Sequence, residues 1–137
     1  MKKPITSVFI LGISVLMLTT ILASASTQEI PRIKPEELKK LIDSKDPKIL
    51  VVDTQPKGAY DVGHVKGAVS FPWAPELKSP GKLPKNKTLV LYCDCAHEED
   101  SIDTATQLKE RWGYTNLKIL EGGWSKWQEL KYPIDKK

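Results

Sequence analysis

The heptapeptide Leu89-Val90-Leu91-Tyr92-Cys93-Asp94-Cys95 constrains this chain more than any other stretch. A continuous apolar run ends on a cysteine, and a polar loop of Ala96, His97, Glu98, Glu99 and Asp100 follows at once. From about Ser101 to Trp112 the pattern is helical. A thiol therefore sits where a buried strand hands over to a helix N-terminus. Backbone N–H groups are unpaired there and the helix dipole is positive. Both features favour a thiolate, the form of cysteine that does chemistry.

The first 25 residues differ from the rest. Lys2 and Lys3 precede an almost wholly apolar stretch from Ile5 to Leu22, and Ala23-Ser24-Ala25 follows. This is the layout of a secretory signal peptide, with an uncleaved membrane anchor as the alternative because the stretch is nearly long enough to span a bilayer. Either reading exports the protein to a periplasmic or other extracytoplasmic compartment. Removing residues 1–25 removes two lysines and no acid, so the net charge falls from +4 to +2. That balance is too mild to argue for nucleic acid. Residues 26–33 read as a linker, and residues 34–137 make one core's worth of sequence, expected to act as a monomer.

Lys34 to Asp43 has a proline and acids in its first turn and Leu38, Leu41 and Ile42 on one face, which predicts a helix. Ile49-Leu50-Val51-Val52-Asp53 is continuously apolar up to its aspartate, as in a strand buried on both faces of a parallel sheet. Gly58 to Gly67 is rich in turn residues, Ala68 to Phe71 is a short strand, and residues 75–87 are a loop dense in Pro, Gly and Lys. Thr88–Tyr92 is a third strand and Asn116–Leu120 a fourth. A closing helix runs from Trp124 to Lys131. Such alternation predicts an α/β sandwich with a mostly parallel central sheet.

The only two cysteines, Cys93 and Cys95, are one residue apart. A pair that close staples nothing in a fold. It is reactive, metallated, or inert. No segment matches a dinucleotide or P-loop site, so no organic cofactor is expected.

Four segments together resemble the rhodanese-like domain, over about Ile33 to Pro133. Val51-Val52-Asp53-Thr54 is similar to the family's strand ending in Asp. Tyr60-Asp61-Val62-Gly63-His64-Val65-Lys66-Gly67-Ala68-Val69 is similar to its Gly-His-Ile-x-Gly-Ala signature. Leu91-Tyr92-Cys93 is similar to the strand that presents the active cysteine. Gly113-Tyr114-Thr115-Asn116-Leu117, with Leu120-Glu121-Gly122-Gly123-Trp124 and Trp127, is similar to the C-terminal signature. The resemblance implies a three-layer α/β sandwich around a five-stranded, mostly parallel sheet with helices on both faces. It also implies a persulfide on Cys93 that takes sulfane sulfur from a donor and passes it to an acceptor thiol or cyanide.

The loop departs from that pattern. The usual arginine before the helix is absent, and Glu98, Glu99 and Asp100 precede Ser101 instead. Gln55 stands where many relatives carry Arg. An anionic donor such as thiosulfate is expected to meet repulsion here, and arsenate or phosphate-ester chemistry, which needs the same arginine, is not expected. The loop gains Cys95 and His97, and three readings stay open. Cys95 resolves a Cys93 persulfide, releasing sulfide and leaving a disulfide. Alternatively Cys93, Cys95 and His97 hold a soft metal, with Asp94 or Glu98 as a fourth ligand. In the third, His97 acts as base or cationic partner to Cys93. A non-catalytic module docking a partner over Glu98–Asp100 is the alternative to all three. Asp94, Ala96, His97 and the following residues to Ser101 form the substrate loop in the first reading. His64 is expected to hold the loop backbone, Asp53 to cap a turn, Trp124 and Trp127 to be core, and Trp73 to line the pocket mouth.

Overall fold

The computed structural model describes residues 29–137. The segment read as a signal peptide or anchor, residues 1–25, and the first part of the linker lie outside the described residues.

Five strands form one parallel sheet: β1 (Arg32–Ile33), β2 (Ile49–Asp53), β4 (Val69–Ser70), β5 (Thr88–Tyr92) and β6 (Leu117–Leu120), in the order β1-β6-β5-β2-β4. β2 and β5 pair along their full length, from Ile49 with Thr88 to Asp53 with Tyr92. β3 (His64–Val65) and β7 (Ile134–Asp135) make a separate antiparallel pair. The helices are α1 (Pro35–Asp43), α2 (Lys57–Val62), α3 (Glu99–Trp112) and α4 (Gly123–Glu129).

The period-two alternation of the strands separates two cores. Val51, Val90, Tyr92 and Leu120 pack with Leu38 of α1 and Trp124 and Trp127 of α4. Val52, Leu89, Leu91 and Ile119 pack with Ala105 and Leu108 of α3 and with Leu77 and Leu83 of the long loop. Helices thus cover both faces, which is why β2 from Ile49 to Val52 and β5 from Leu89 to Leu91 are continuously apolar. Trp124 and Trp127 are core, as their helical spacing predicts.

Three local readings are corrected. Arg32 and Ile33 are an edge strand rather than linker; Ile33 is buried and its carbonyl receives the Glu121 N–H. The turn-rich stretch after Gly58 contains α2 and β3, with α2 held to the body by the buried Tyr60, whose hydroxyl donates to the Ala68 carbonyl at 2.8 Å. The chain end, given no element from sequence, forms β7 against β3.

At the C-terminal edge of the sheet, Asp53 is fully buried. Its carboxylate accepts the Tyr92 hydroxyl at 2.5 Å, the Gln55 N–H at 2.8 Å and the Gln55 side-chain amide at 3.0 Å. The Tyr92 hydroxyl accepts the Val65 N–H at 2.9 Å. One phenol therefore joins β5 to β2 and β3. Burial pushes Asp53 above the ordinary carboxylate range, against the lowering effect of the Tyr92 and Gln55 donors. A raised carboxyl contributes stability that is fully present below its unfolded pKa and lost as pH rises through its folded one. Tyr92→Phe strips a donor from Asp53 and an acceptor from the Val65 N–H, and is expected to cost roughly 2–4 kcal/mol. Because the missing donor hurts the charged carboxylate most, the deficit should be larger at neutral pH than near about pH 4. Urea unfolding of both proteins at the two pH values measures it.

Candidate active site

β5 ends at Tyr92, so Cys93 begins the loop above the middle of the parallel sheet, where unpaired strand-end groups and a helix N-terminus converge. Thr54 closes one side: its N–H and its hydroxyl both donate to the Tyr92 carbonyl at 2.9 Å. The Cys93 carbonyl accepts the Trp124 N–H at 2.9 Å. Gly123, at φ +53°, presses on the same oxygen so closely that a Cβ there would stand 2.3 Å from it. Only glycine fits both the left-handed backbone and the approach.

Cys93 is 1% exposed, and its Sγ lies 3.8 Å from the Ser101 hydroxyl, within reach of a thiol hydrogen bond. Ser101 in turn donates to the Glu98 carbonyl at 2.9 Å. Cys95 is half-buried, and both thiols are free. Burial first, and then its hydrogen bond to Cys93, push the Cys95 thiol up to about 12 against the opposing effect of the Asp100 N–H. Cys95 is therefore a proton-bearing neighbour of Cys93 at neutral pH.

The acids of the loop do not face outward as a free anionic rim. Asp94 accepts the Ser125 hydroxyl at 2.6 Å. Glu98 accepts the Gly122 N–H at 2.8 Å and the Arg32 guanidinium at 3.3 Å. Glu99 accepts the His97 N–H at 3.1 Å. Its carboxylate is lowered by its own N–H, by that of His97 and by the His97 charge. The helix N-terminus that could cradle a foreign anion is filled by the chain's own carboxylate.

His97 is exposed and makes no hydrogen bond to Cys93, so the Cys93–His97 pair proposed from sequence is not assembled. Among the described residues no group of three or more His, Cys, Asp or Glu side chains gathers to hold a metal, so Cys93, Cys95 and His97 do not converge. His64 is buried, bonds the Tyr60 carbonyl through Nδ1 at 2.7 Å and stacks on the Tyr60 ring at 3.7 Å, holding backbone as expected. Asp53 and Gln55 form the expected capped turn, and Gln55 places no cation at the site. Ala96 is exposed at the loop tip. A cavity of about 340 Å³ beside the loop is lined by Gln55, Val62, Gly63, Asp94, Trp124 and Lys136 among others. Trp73 is not among them; its indole N–H is pinned to Asp103 at 2.7 Å.

Arg32, Ser125 and the Trp124 backbone are site residues that sequence reading missed. The Gly122-Gly123 pair was the signal available, since two glycines before a helix mark a backbone that something approaches closely.

The model of the rhodanese-like domain family matches residues 34–130. Among curated proteins, the adenylyltransferase and sulfurtransferase UBA4 of Meyerozyma guilliermondii is 31% identical over 84 residues, 57% of this chain and 20% of that protein. The chain thus spans about a fifth of the length of that relative. Among solved structures, the rhodanese-like domain of Alr3790 from Anabaena sp. superposes with a TM-score of 0.67 at 21% identity, covering 78% of this chain and 80% of that one. A variant of EanB, solved in complex with ergothioneine covalently linked with a persulfide cysteine, gives a TM-score of 0.67 at 26% identity, over 78% of this chain and 28% of that one.

Two outcomes follow from the loop geometry. Gly123→Ala should destabilise the protein by at least roughly 1–3 kcal/mol, the scale of an overpacked contact, as read by urea unfolding. Alkylation of Cys95, mapped by mass spectrometry, should climb roughly tenfold per pH unit, because only the thiolate reacts. A plateau near the ordinary thiol value of about 8.5 would contradict its burial.

Proposed function

Because the chain belongs to the rhodanese-like domain family, we propose that it carries sulfane sulfur as a persulfide on Cys93 and delivers it to a thiol outside the cytoplasm. The observation that carries this reading is the seating of Cys93: carbonyl clamped by Trp124 and Gly123, sulfur facing Ser101, at the mouth of a helix. The persulfide cysteine of the EanB structure and the sulfurtransferase named among the relatives support the chemistry. The basic-apolar-small pattern of residues 1–25 supports export.

In the loading step the Cys93 thiolate attacks the terminal sulfur of a hydropersulfide, R–S–SH. The new bond is Cys93 S–S, the donor's S–S bond breaks, and RS⁻ leaves. In delivery an acceptor thiolate attacks that terminal sulfur and Cys93 departs as thiolate. No electrons are gained or lost overall. Cys95 opens a side branch: as a thiolate it attacks the Cys93 Sγ, expels HS⁻ and leaves a Cys93–Cys95 disulfide. Its proton suppresses that branch at neutral pH, so the persulfide lasts long enough to be handed on.

The donor class follows from the charges. Arg32 is engaged by Glu29 and Glu98, Gln55 is neutral, and Glu99 occupies the helix N-terminus. None of these groups is left free to bind the sulfonate end of thiosulfate, and the cavity beside the loop sets its one lysine, Lys136, beside the Asp94 carboxylate, so an organic hydropersulfide is the preferred donor.

Intact-protein mass spectrometry on the reduced, signal-free protein tests this. Glutathione persulfide should add one sulfur atom to the wild type and to Cys95→Ser, and none to Cys93→Ser. Thiosulfate should load at roughly a tenth of that rate or less, the scale of one missing charged hydrogen bond. Loss of two hydrogens without sulfur gain would replace the reading with a redox dithiol, and no change at all would replace it with a non-catalytic module.

A further inference from the structure

Glu98 is the least comfortable residue of the loop. It stands in the left-handed region, at φ 56° and ψ 25°, immediately before α3. A non-glycine residue there costs of order 1 kcal/mol and persists only where its surroundings over-determine it. The sequence offers no glycine or asparagine at this position but a glutamate, and the side chain is only 13% exposed.

The surroundings show what holds it. One carboxylate oxygen accepts the Gly122 N–H at 2.8 Å, and the other accepts Arg32 of β1 at 3.3 Å. The Glu98 carbonyl accepts the Ser101 hydroxyl and the Ile102 N–H, each at 2.9 Å. Ser101 faces the Cys93 sulfur. Gly122 immediately precedes Gly123 and Trp124, the two residues that clamp the Cys93 carbonyl. Glu98 therefore touches both supports of Cys93, the serine beside its sulfur and the glycine turn against its carbonyl, without touching Cys93 itself.

We infer that Glu98 is a positioning residue for Cys93, its carboxylate locking the Gly122 turn while its carbonyl locks Ser101, so that the loop is braced from within by an anion. This rests on Cys93 being the sulfur carrier, the reading given above. The brace also explains how the loop dispenses with an arginine at its end: the one guanidinium near it, Arg32, serves as the outer anchor of Glu98 rather than as a ligand for substrate.

Two variants separate positioning from folding. Glu98→Gly removes the carboxylate but suits the left-handed backbone, so the fold should survive, with a thermal midpoint at or near that of the wild type. Glu98→Gln keeps an oxygen for the Gly122 N–H. In a Cys95→Ser background, Glu98→Gly is expected to slow sulfur loading from glutathione persulfide by roughly ten- to hundredfold, the cost of a nucleophile displaced by about an ångström. The same variant should alkylate faster at Cys93, because a loosened loop uncovers a buried sulfur. Glu98→Gln should return both rates to within a few-fold of wild type. If Glu98→Gly leaves both rates unchanged, or if Glu98→Gln behaves like Glu98→Gly, the inference is wrong. Alkylation needs no sulfur transfer. A wild type that never loads sulfur would therefore overturn the functional reading, while the alkylation arm would still decide on Glu98.

Discussion

A single hydrogen bond, from the Trp124 N–H to the Cys93 carbonyl, fixes the relation between the sheet and everything above it. β5 stops one residue earlier, so this carbonyl has no strand partner and would be an orphan acceptor in a buried place. α4 supplies the donor, and can do so only because Gly123 has no side chain to strike the same oxygen. The Trp124 ring then packs over Tyr92, with centroids 6.2 Å apart, and the Tyr92 hydroxyl reaches Asp53 and Val65. From one backbone contact the constraint runs through α4, β5, β2 and β3. A cysteine seated this way has little freedom to move relative to the helix that follows it.

The loop's acids look, in the sequence, like a barrier to any anion. In the structure they are ligands for the loop's own donors. Asp94 takes a hydroxyl of α4, Glu98 takes the glycine turn and an arginine, and Glu99 takes a backbone N–H beside the helix start. The difference matters physically. Free carboxylates repel through solvent and are screened by salt, whereas carboxylates that take up N–H groups use donors that an oxyanion would otherwise bind. Selection against oxyanions on this reading is a matter of occupied donors more than of field, and persists at high ionic strength.

The long elements were legible because burial on both faces leaves an unmistakable mark. Ile49–Val52 and Leu89–Leu91 are apolar throughout, and the Leu108 face of α3 and the Trp127 face of α4 keep helical spacing. What escaped was short or built from long-range contacts. β1 has two residues, one of them exposed, so no alternation could show. α2 has six residues, a glycine near its start and no side-chain cap, and it exists because Tyr60 is anchored to Ala68. Within the site, Cys93 was legible as the end of an apolar run before a helix. The partnership of Glu98 with Gly122 spans 24 residues and that with Arg32 spans 66, and no local pattern signals either.

The two cysteines illustrate how surroundings distinguish chemically identical groups. Separated by one residue, they differ in what surrounds them: Cys93 faces a hydroxyl and the sheet edge, whereas burial and the hydrogen bond to Cys93 keep Cys95 protonated. A resolving thiol that stays protonated is a slow one, since attack requires the thiolate. Proximity alone would make Cys-x-Cys a device for forming a disulfide. Here the surroundings make Cys95 a proton-bearing neighbour of Cys93, and the persulfide we propose on Cys93 would inherit that arrangement.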